Sequence, residues 1–141
     1  KPLRTKDDCT CPISEYGKQK VKMEKKIATL GSYGILRLTK IIDLENGIFK
    51  FWKKSLDTNH EIKAFGNVYI SPLNVKKVVK KIDQLVNLRE HGITHFSGRQ
   101  DITYYKFARK MALKLNYNPQ LVLKINKSGK FPKYSSLKNN Q

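Results

Sequence analysis

The chain has 141 residues, of which 39% are hydrophobic and 28% are charged. This balance is typical of one globular domain with its own core, and it excludes an intrinsically disordered chain. No apolar run approaches the roughly 20 residues that cross a bilayer, and no signal peptide is apparent. We therefore expect a cytoplasmic protein without membrane contact. The first residue is Lys1 instead of a methionine, which suggests a piece of a longer chain.

The formal net charge of +18 is extreme for this length. Such a surface suits a polyanion, so a basic nucleic-acid-binding domain is one alternative. Two features count against it. The excess is nearly all lysine, whereas bidentate phosphate and base contacts favour arginine, and the lysines are spread along the chain. A diffuse positive field would also attract a smaller anion, such as a nucleotide sugar.

Cys9 and Cys11 are the only cysteines, and the three histidines are scattered. A zinc site needs about four ligands, and no second cluster has suitable spacing. We therefore expect no metal site and interpret the two thiols as incidental in a reducing compartment.

The predicted elements alternate between helices and strands. Ser14 is a candidate N-cap for the first helix, and Asn46-Gly47 is a predicted turn. In chain order the pattern predicts a helix over 15–30, a strand over 33–39, a helix over 48–57, short strands within 60–70, a helix over 74–88, a strand over 93–97, a helix over 103–115 and an extended segment over 119–125. This alternation indicates an α/β fold.

The helix over 74–88 is the most clearly amphipathic segment. Six apolar residues share one face: Val75, Val78, Val79, Ile82, Leu85 and Val86. Four lysines are predicted on the opposite face: Lys76, Lys77, Lys80 and Lys81. We expect the lysine face to be solvated; a phosphate or partner contact is the alternative.

Tyr16 and Lys20 are four residues apart and therefore share a face of the first helix. Met23, Ile27 and Leu30 extend the same stripe, which puts Lys20 in the middle of an apolar face, where an unpaired charge is costly. A cation beside a phenol favours its deprotonated form, so such a tyrosine can exchange a proton with a carbonyl or hydroxyl group. The spacing alone is weak: Tyr134 and Lys138 repeat it, and Lys20 could extend its ammonium to solvent.

Several segments, in order, resemble those of one family. Residues 12–20, PISEYGKQK, resemble the active-site segment P-x-S-x-Y-G-x-x-K of the short-chain dehydrogenases/reductases. The similar segments that follow are 34–39 (GILRLT), 65–72 (FGNVYISP) with the helix after it, 92–98 (GITHFSG) and 132–137 (PKYSSL). Together they resemble the extended members that act on nucleotide sugars, and most nearly the dTDP-4-dehydrorhamnose reductase type.

This resemblance implies the C-terminal part of a Rossmann-type fold, in which the sugar nucleotide is held. It implies that Tyr16 donates a proton, that Lys20 supports Tyr16 and contacts the cofactor ribose, and that NAD or NADP supplies the hydride. The sequence departs from the family in one large respect: it contains no Gly-rich G-x-x-G-x-x-G phosphate loop. The third catalytic residue, a Ser or Thr on an upstream strand, is also expected before Lys1.

Other candidates lie near predicted strand ends and in the tail. Thr39 and Lys40 leave a strand at its carboxyl end, where α/β ligand crevices form, so we assign Thr39 to the cofactor and Lys40 to the substrate. Arg99, after the strand that ends at Gly98, is a candidate diphosphate ligand, with an exposed loop residue without a ligand as the alternative. The resemblance adds Tyr134 and Ser135 as residues that close over the substrate. Arg37 is expected to form an ion pair, with ligand contact as the alternative.

Three aromatic residues, Phe49, Trp52 and Phe65, are expected in the core. The leading hypothesis is the substrate-binding segment of an NAD(P)-dependent nucleotide-sugar reductase or epimerase-like protein, inactive as an isolated chain. Its partner would be a nucleotide sugar, together with its own missing N-terminal half or a second copy. A non-catalytic remnant that binds a nucleotide sugar or a partner chain is the alternative.

Overall fold

The computed structural model describes residues 3–139. Within these residues four α-helices and eight short strands follow one another. They are α1 (Glu15–Ala28), β1 (Gly34–Leu38), β2 (Ile41–Ile42), α2 (Gly47–Asp57), β3 (Ile62–Phe65), β4 (Tyr69–Ile70), β5 (Leu73–Asn74), α3 (Val75–Asn87), β6 (Gly92–Phe96), β7 (Ile102–Thr103), α4 (Tyr104–Lys114), a 3-10 turn (Pro119–Leu121) and β8 (Val122–Ile125). Within residues 3–139 no helix is long and apolar enough to cross a membrane.

The strands pair two by two, and most pairs are parallel. β1 pairs with β6, β2 with β5 and β3 with β8 in parallel, while β4 pairs with β7 in antiparallel orientation. Parallel pairs joined through helices confirm the α/β prediction. The two-residue strands β2, β5 and β7 were not predicted, because so short a strand exists only through its distant partner.

The core lies between α2, α4, β3 and β8, which we call the closed core. Trp52 and Phe49 of α2 meet edge to face, with ring centroids 5.7 Å apart, and Phe49 also meets Phe107 of α4. Small residues on α4, Ala108 and Ala112, are fully buried and let the helix approach the strands closely. The expectation that Phe49 and Trp52 are core residues is confirmed; Phe65 is half-buried.

A second region, which we call the open layer, consists of α1, β1, β6 and α3. Within residues 3–139, α1 buries none of its side chains and α3 buries only Val78. The predicted six-residue apolar face of α3 therefore does not act as one core face: Val79 is 60% exposed and Val86 is 68% exposed. The periodicity correctly identified the helix, but no described element lies against most of its apolar side.

Candidate active site

Tyr16 and Lys20 lie in the first turns of α1. The helix begins after Ser14, whose Oγ accepts a hydrogen bond from the Gly17 amide at 3.1 Å. A side chain at position 17 would come 3.0 Å from Cβ of Pro12, so glycine allows the loop to fold against the helix. Lys20 Nζ lies 5.4 Å from the centre of the Tyr16 ring, a cation–π distance. The structure thus brings the two predicted residues together.

The apolar stripe that carries Lys20 is uncovered among the described residues, and Lys20 extends its ammonium to solvent. Tyr16 is 69% exposed, Lys20 and Met23 are exposed, and α1 buries nothing among the described residues. The stripe has the expected helical spacing, but the surface that would cover it is absent from residues 3–139. An uncovered ammonium remains hydrated, so here Lys20 avoids the desolvation cost that motivated the prediction.

Arg37 of β1 anchors α1 to the strand through an ion pair. Its Nη2 donates to Oε2 of Glu24 at 2.6 Å and its Nε donates to Oε1 at 3.0 Å, a two-pronged ion pair that is largely shielded from solvent. The interpretation of Arg37 as an ion-pair residue is confirmed. Because α1 leads back into β1 through a short turn, the helix runs antiparallel to the strand. Tyr16 therefore lies about 12 Å beyond Glu24, toward the carboxyl end of β1.

His95 of β6 lies beside Arg37, in register with it. Its imidazole is 2% exposed, and its Nε2 lies 3.3 Å from Arg37 Nη1. Burial lowers the pKa of His95, and the neighbouring guanidinium lowers it further. His95 is therefore a neutral packing residue at physiological pH.

Thr39 lies where β1 ends, and its hydroxyl group is committed to the protein. The Thr39 Oγ1 donates to the Ser71 carbonyl at 2.6 Å and accepts from the Gly98 amide at 3.2 Å. Ser71 Oγ in turn donates to the Gly98 carbonyl at 2.9 Å. These buried hydroxyl groups tie the end of β1 to the loop after β6. The structure gives Thr39 this packing role, and its contact with a cofactor stays a prediction.

A cavity of about 750 Å³ opens beside that loop. Three cationic residues line it, Lys77 from α3, Arg99 from the loop and Lys110 from α4, and no carboxylate does so among the described residues. The remaining walls are apolar or carry amide groups: Pro72, Leu73, Asn74, Phe96, Ser97, Gly98, Gln100, Ile102, Phe107 and Asn139. Such a mixture of cations, aromatic rings and amides suits an anion attached to a ring system.

The cavity lies at the carboxyl end of β6, since Ser97, Gly98 and Arg99 directly follow that strand. β1 runs parallel to β6, so Thr39 and the expected level of Tyr16 share this edge of the sheet. Ligands of open α/β sheets bind at this edge. Of the described residues, α1 contributes none to the lining, so the Tyr16 pair and the cavity are neighbouring features of one edge.

Sequence reasoning missed part of this site. Lys77 was expected on a solvated face, with a phosphate or partner contact as the alternative, and Lys110 and Asn139 were not predicted. Lys77 carried a signal, because it follows Pro72 and Asn74 at the N-terminal end of a helix, where anions are favoured. The sequence around Asn139 gave no such signal, since Asn139 reaches the cavity only because the C-terminal tail folds back against Ser97.

Three predicted substrate residues lie elsewhere. Lys40 Nζ sits 5.6 Å from the Phe49 ring centre. Tyr134 stacks on Tyr69 of β4, with centroids 4.7 Å apart, and Ser135 donates to the Tyr69 carbonyl at 3.3 Å. None of the three is among the cavity's lining residues, so their substrate contacts remain predictions.

The two cysteines meet in the exposed segment before α1. Their Sγ atoms are 3.4 Å apart, and this hydrogen bond raises the pKa of Cys9. Residues 3–139 contain no group of three or more metal-binding side chains.

Residues 3–141 match the family described as the RmlD substrate binding domain. The chain belongs to this family. No curated protein matches it significantly. Among solved structures, dTDP-4-dehydrorhamnose reductase from Bacillus anthracis, in complex with NADP, superposes with a TM-score of 0.88 at 23% identity, covering 98% of this chain and 51% of that one.

Two further structures extend the comparison. A hypothetical dTDP-4-dehydrorhamnose reductase from Sulfolobus tokodaii is 28% identical, with a TM-score of 0.85 over 99% of this chain and 50% of that one. A dTDP-glucose 4,6-dehydratase from Streptomyces venezuelae, with NAD and TYD bound, is 16% identical, with a TM-score of 0.80 over 99% of this chain and 47% of that one. The RmlD-like chain thus spans about half the length of these enzymes.

Proposed function

We propose that this chain is the substrate-binding half of an NAD(P)-dependent reductase that acts on a keto-sugar nucleotide. The observation that carries the proposal is the cavity at the carboxyl edge of β6, with Lys77, Arg99 and Lys110 in its walls. Three cations around one cavity form a site for a dianionic or more highly charged group. The family and the dTDP-sugar enzymes that share the fold make a nucleoside diphosphate the natural choice.

The cationic residues of the cavity and its apolar and amide residues would hold different parts of the ligand. Arg99 would grip the diphosphate through its fork of donors, with Lys77 and Lys110 as point charges. Phe96 and Phe107 offer apolar surface to the nucleoside, and the amides of Asn74 and Gln100 can bond its polar edges. Lys40 stays a candidate for the sugar end.

Tyr16 would supply the proton in the reaction. A bound nicotinamide would provide the hydride that reduces the sugar carbonyl carbon. Tyr16 would then protonate the carbonyl oxygen, and the ammonium of Lys20, already over the phenol ring, would stabilise the resulting phenolate. Tyr16, Lys20 and Thr39 are the residues assigned to the cofactor. The dinucleotide phosphates need a Gly-rich loop, which the sequence lacks.

The missing half would bind the open layer. Within residues 3–139 β1 pairs only with β6, so its other edge is free for a further strand. A cavity of about 400 Å³ lies on one face of this strand pair, between Leu36 of β1, Thr94 of β6 and the exposed side of α3 at Ile82 and Val86. A partner that adds a strand beside β1 and packs on this face would cover both the edge and the cavity. We propose that the occupant is a dinucleotide-binding α/β half, whether it belongs to the same polypeptide or to another.

Calorimetric titration of dTDP and UDP into the chain tests the ligand. We expect binding that weakens about tenfold in Arg99→Ala and in Lys77→Ala, since each removes a charged hydrogen bond. Lys76→Ala is the matched control, because Lys76 is the exposed neighbour of Lys77 and does not line the cavity. Absence of heat at millimolar nucleotide would contradict the proposal.

Mixing the chain with the N-terminal half of the Bacillus anthracis reductase tests the partner. We expect a one-to-one complex in native mass spectrometry that is lost in the double variant Val79→Lys, Val86→Lys. A double variant at exposed lysines of the same helix, Lys76→Ala with Lys80→Ala, should leave it intact. Self-association of the chain alone through the same valines would favour a second copy instead. NADPH-dependent turnover by the chain alone would contradict its predicted inactivity.

A further inference from the structure

The two ends of the described chain run side by side. Arg4 and Leu137 are parallel neighbours. The Arg4 amide donates to the Ser136 carbonyl at 3.2 Å, and the Lys138 amide donates to the Arg4 carbonyl at 2.8 Å. The Leu3 amide adds a bond to Ser136 Oγ at 3.0 Å. We call residues 3–4 and 136–139 the terminal clasp.

The clasp holds both ends of the loop over 97–101. Asn139 binds one end of the loop through two hydrogen bonds. Its Oδ1 accepts from the Ser97 amide at 2.6 Å, and its Nδ2 donates to the Ser97 carbonyl at 3.3 Å. Ser136 holds the other end, donating from Oγ to Oδ2 of Asp101 at 2.7 Å. The Leu137 amide also donates to Ser97 Oγ at 3.2 Å. Arg99 is the middle residue of the loop held in this way.

The opposite side of the loop packs directly on the backbone of residues 71–72. A Cβ at Gly98 would overlap the carbonyl oxygen of Pro72 and lie 2.8 Å from the Ser71 carbonyl carbon. The loop is therefore pressed between residues 71–72 on one side and the clasp on the other. Ser97 and Ser136 are both buried, so a break in either bond would leave a polar group without water.

We propose that the terminal clasp is part of the ligand site: Asn139 and Ser136 are positioning residues that hold loop 97–101 so that Arg99 faces the cavity. Asn139 also lines the cavity, so ligand binding and docking of the clasp stabilise each other. A loop that is already ordered before binding loses less conformational entropy when its arginine binds an anion. The identity of the ligand rests on the proposed function, whereas the clasp and its bonds to the loop do not.

The decisive experiment is a double-mutant cycle in dTDP affinity. Asn139→Ala should weaken binding about tenfold, because it removes two hydrogen bonds that order the loop. If Asn139 acts through Arg99, adding Asn139→Ala to Arg99→Ala should cost less than twofold further. Fully additive losses would overturn the positioning role. Lys138→Ala is the control, since its backbone bond to Arg4 survives and its affinity should remain within twofold of wild type.

Hydrogen exchange without ligand tests the clasp independently of the nucleotide. The Ser97 amide should exchange at least tenfold faster in Asn139→Ala than in wild type or Lys138→Ala, and dTDP should slow carboxypeptidase digestion of the wild-type tail. Unchanged Ser97 exchange would overturn the proposal. If wild type binds no dTDP, the proposed function fails while this measurement still decides whether the clasp holds the loop. Should Asn139→Ala not fold, Ser136→Ala, which removes the Asp101 bond, replaces it in the affinity cycle, and the Leu3 amide, which Ser136 Oγ accepts, replaces the Ser97 amide as the exchange readout.

Discussion

The closed core and the open layer are built from similar elements but bury their apolar side chains to different extents. In the closed core, Trp52, Ile62 and Ala112 are each at most 3% exposed. In the open layer, Val79 and Val86 are each at least 60% exposed, although α3 is at least as amphipathic as α2. Exposed apolar stripes of this extent mark an interaction surface. The closed core covers its own apolar side chains, whereas the open layer leaves apolar surface that the proposed N-terminal partner would cover.

The largest expected effect separates the two regions by stability. Trp52→Ala should lower the free energy of unfolding by about 3–5 kcal/mol, because it leaves a cavity among Phe49 and Tyr104. Val86→Ala in the open layer should cost less than about 0.5 kcal/mol, since the side chain of this valine is already largely in water. Denaturant unfolding of both variants measures the difference. Similar losses would show that the open layer is buried in solution, for instance in an oligomer.

A smaller effect is expected at the loop that joins the two regions. Gly98→Ala should destabilise the chain by about 1–3 kcal/mol and impair dTDP binding, because the new methyl group overlaps backbone atoms that cannot move aside. At Gly66 the added methyl group would meet only the flexible Lys124 side chain, so Gly66→Ala should cost less. Thermal unfolding of the two variants compares them, and equal losses would remove the special role of Gly98.

The attachment of α1 should depend modestly on its two-pronged ion pair. Arg37→Lys keeps the charge but loses one of the two hydrogen-bonded contacts with Glu24. We expect it to lower the stability of the attached helix by about 1 kcal/mol. The exposed pair of Lys18 and Glu15 within α1 should contribute about 0–0.5 kcal/mol, so Lys18→Ala is the reference. Hydrogen exchange of α1 amides reports the effect. A loss as small as that of Lys18→Ala would mean that α1 is held by other contacts.

The smallest expected effect is the dependence of stability on the protonation of His95. It is slight at neutral pH and grows as the pH falls. Burial lowers the pKa of His95 in the folded chain, whereas the unfolded value is about 6.5. Between the two pKa values the unfolded chain binds a proton that the folded chain does not, so stability falls as the pH drops below about 6.5. Replacing His95 with glutamine should flatten this part of the stability curve. A parallel curve for the variant would mean that His95 titrates normally when folded.

The sequence predicted the elements better than their surroundings. Ser14 and Asn74 cap α1 and α3 as local signals should, because a cap depends on the first helical turn alone. The apolar stripes of Lys20 and of Val79 were identified, but helical periodicity cannot say whether the partner of such a stripe belongs to the same chain. In the candidate site, Arg99 was found from its place after a strand. Asn139 was not, because only the fold brings residue 139 back to Ser97.

The parallel contact of Arg4 and Leu137 also makes the connectivity of this unit adjustable. Because the two segments are parallel, a linker from residue 139 back to residue 3 has to cross over, which takes about a dozen residues or more. New termini could then be opened in an exposed turn such as that at Asn59, far from the loop of Arg99 in sequence. A permuted chain of this kind would keep every bond of the terminal clasp while joining its two sides in one continuous segment, and so would offer a route to biosensors whose reporter inserts at the new termini.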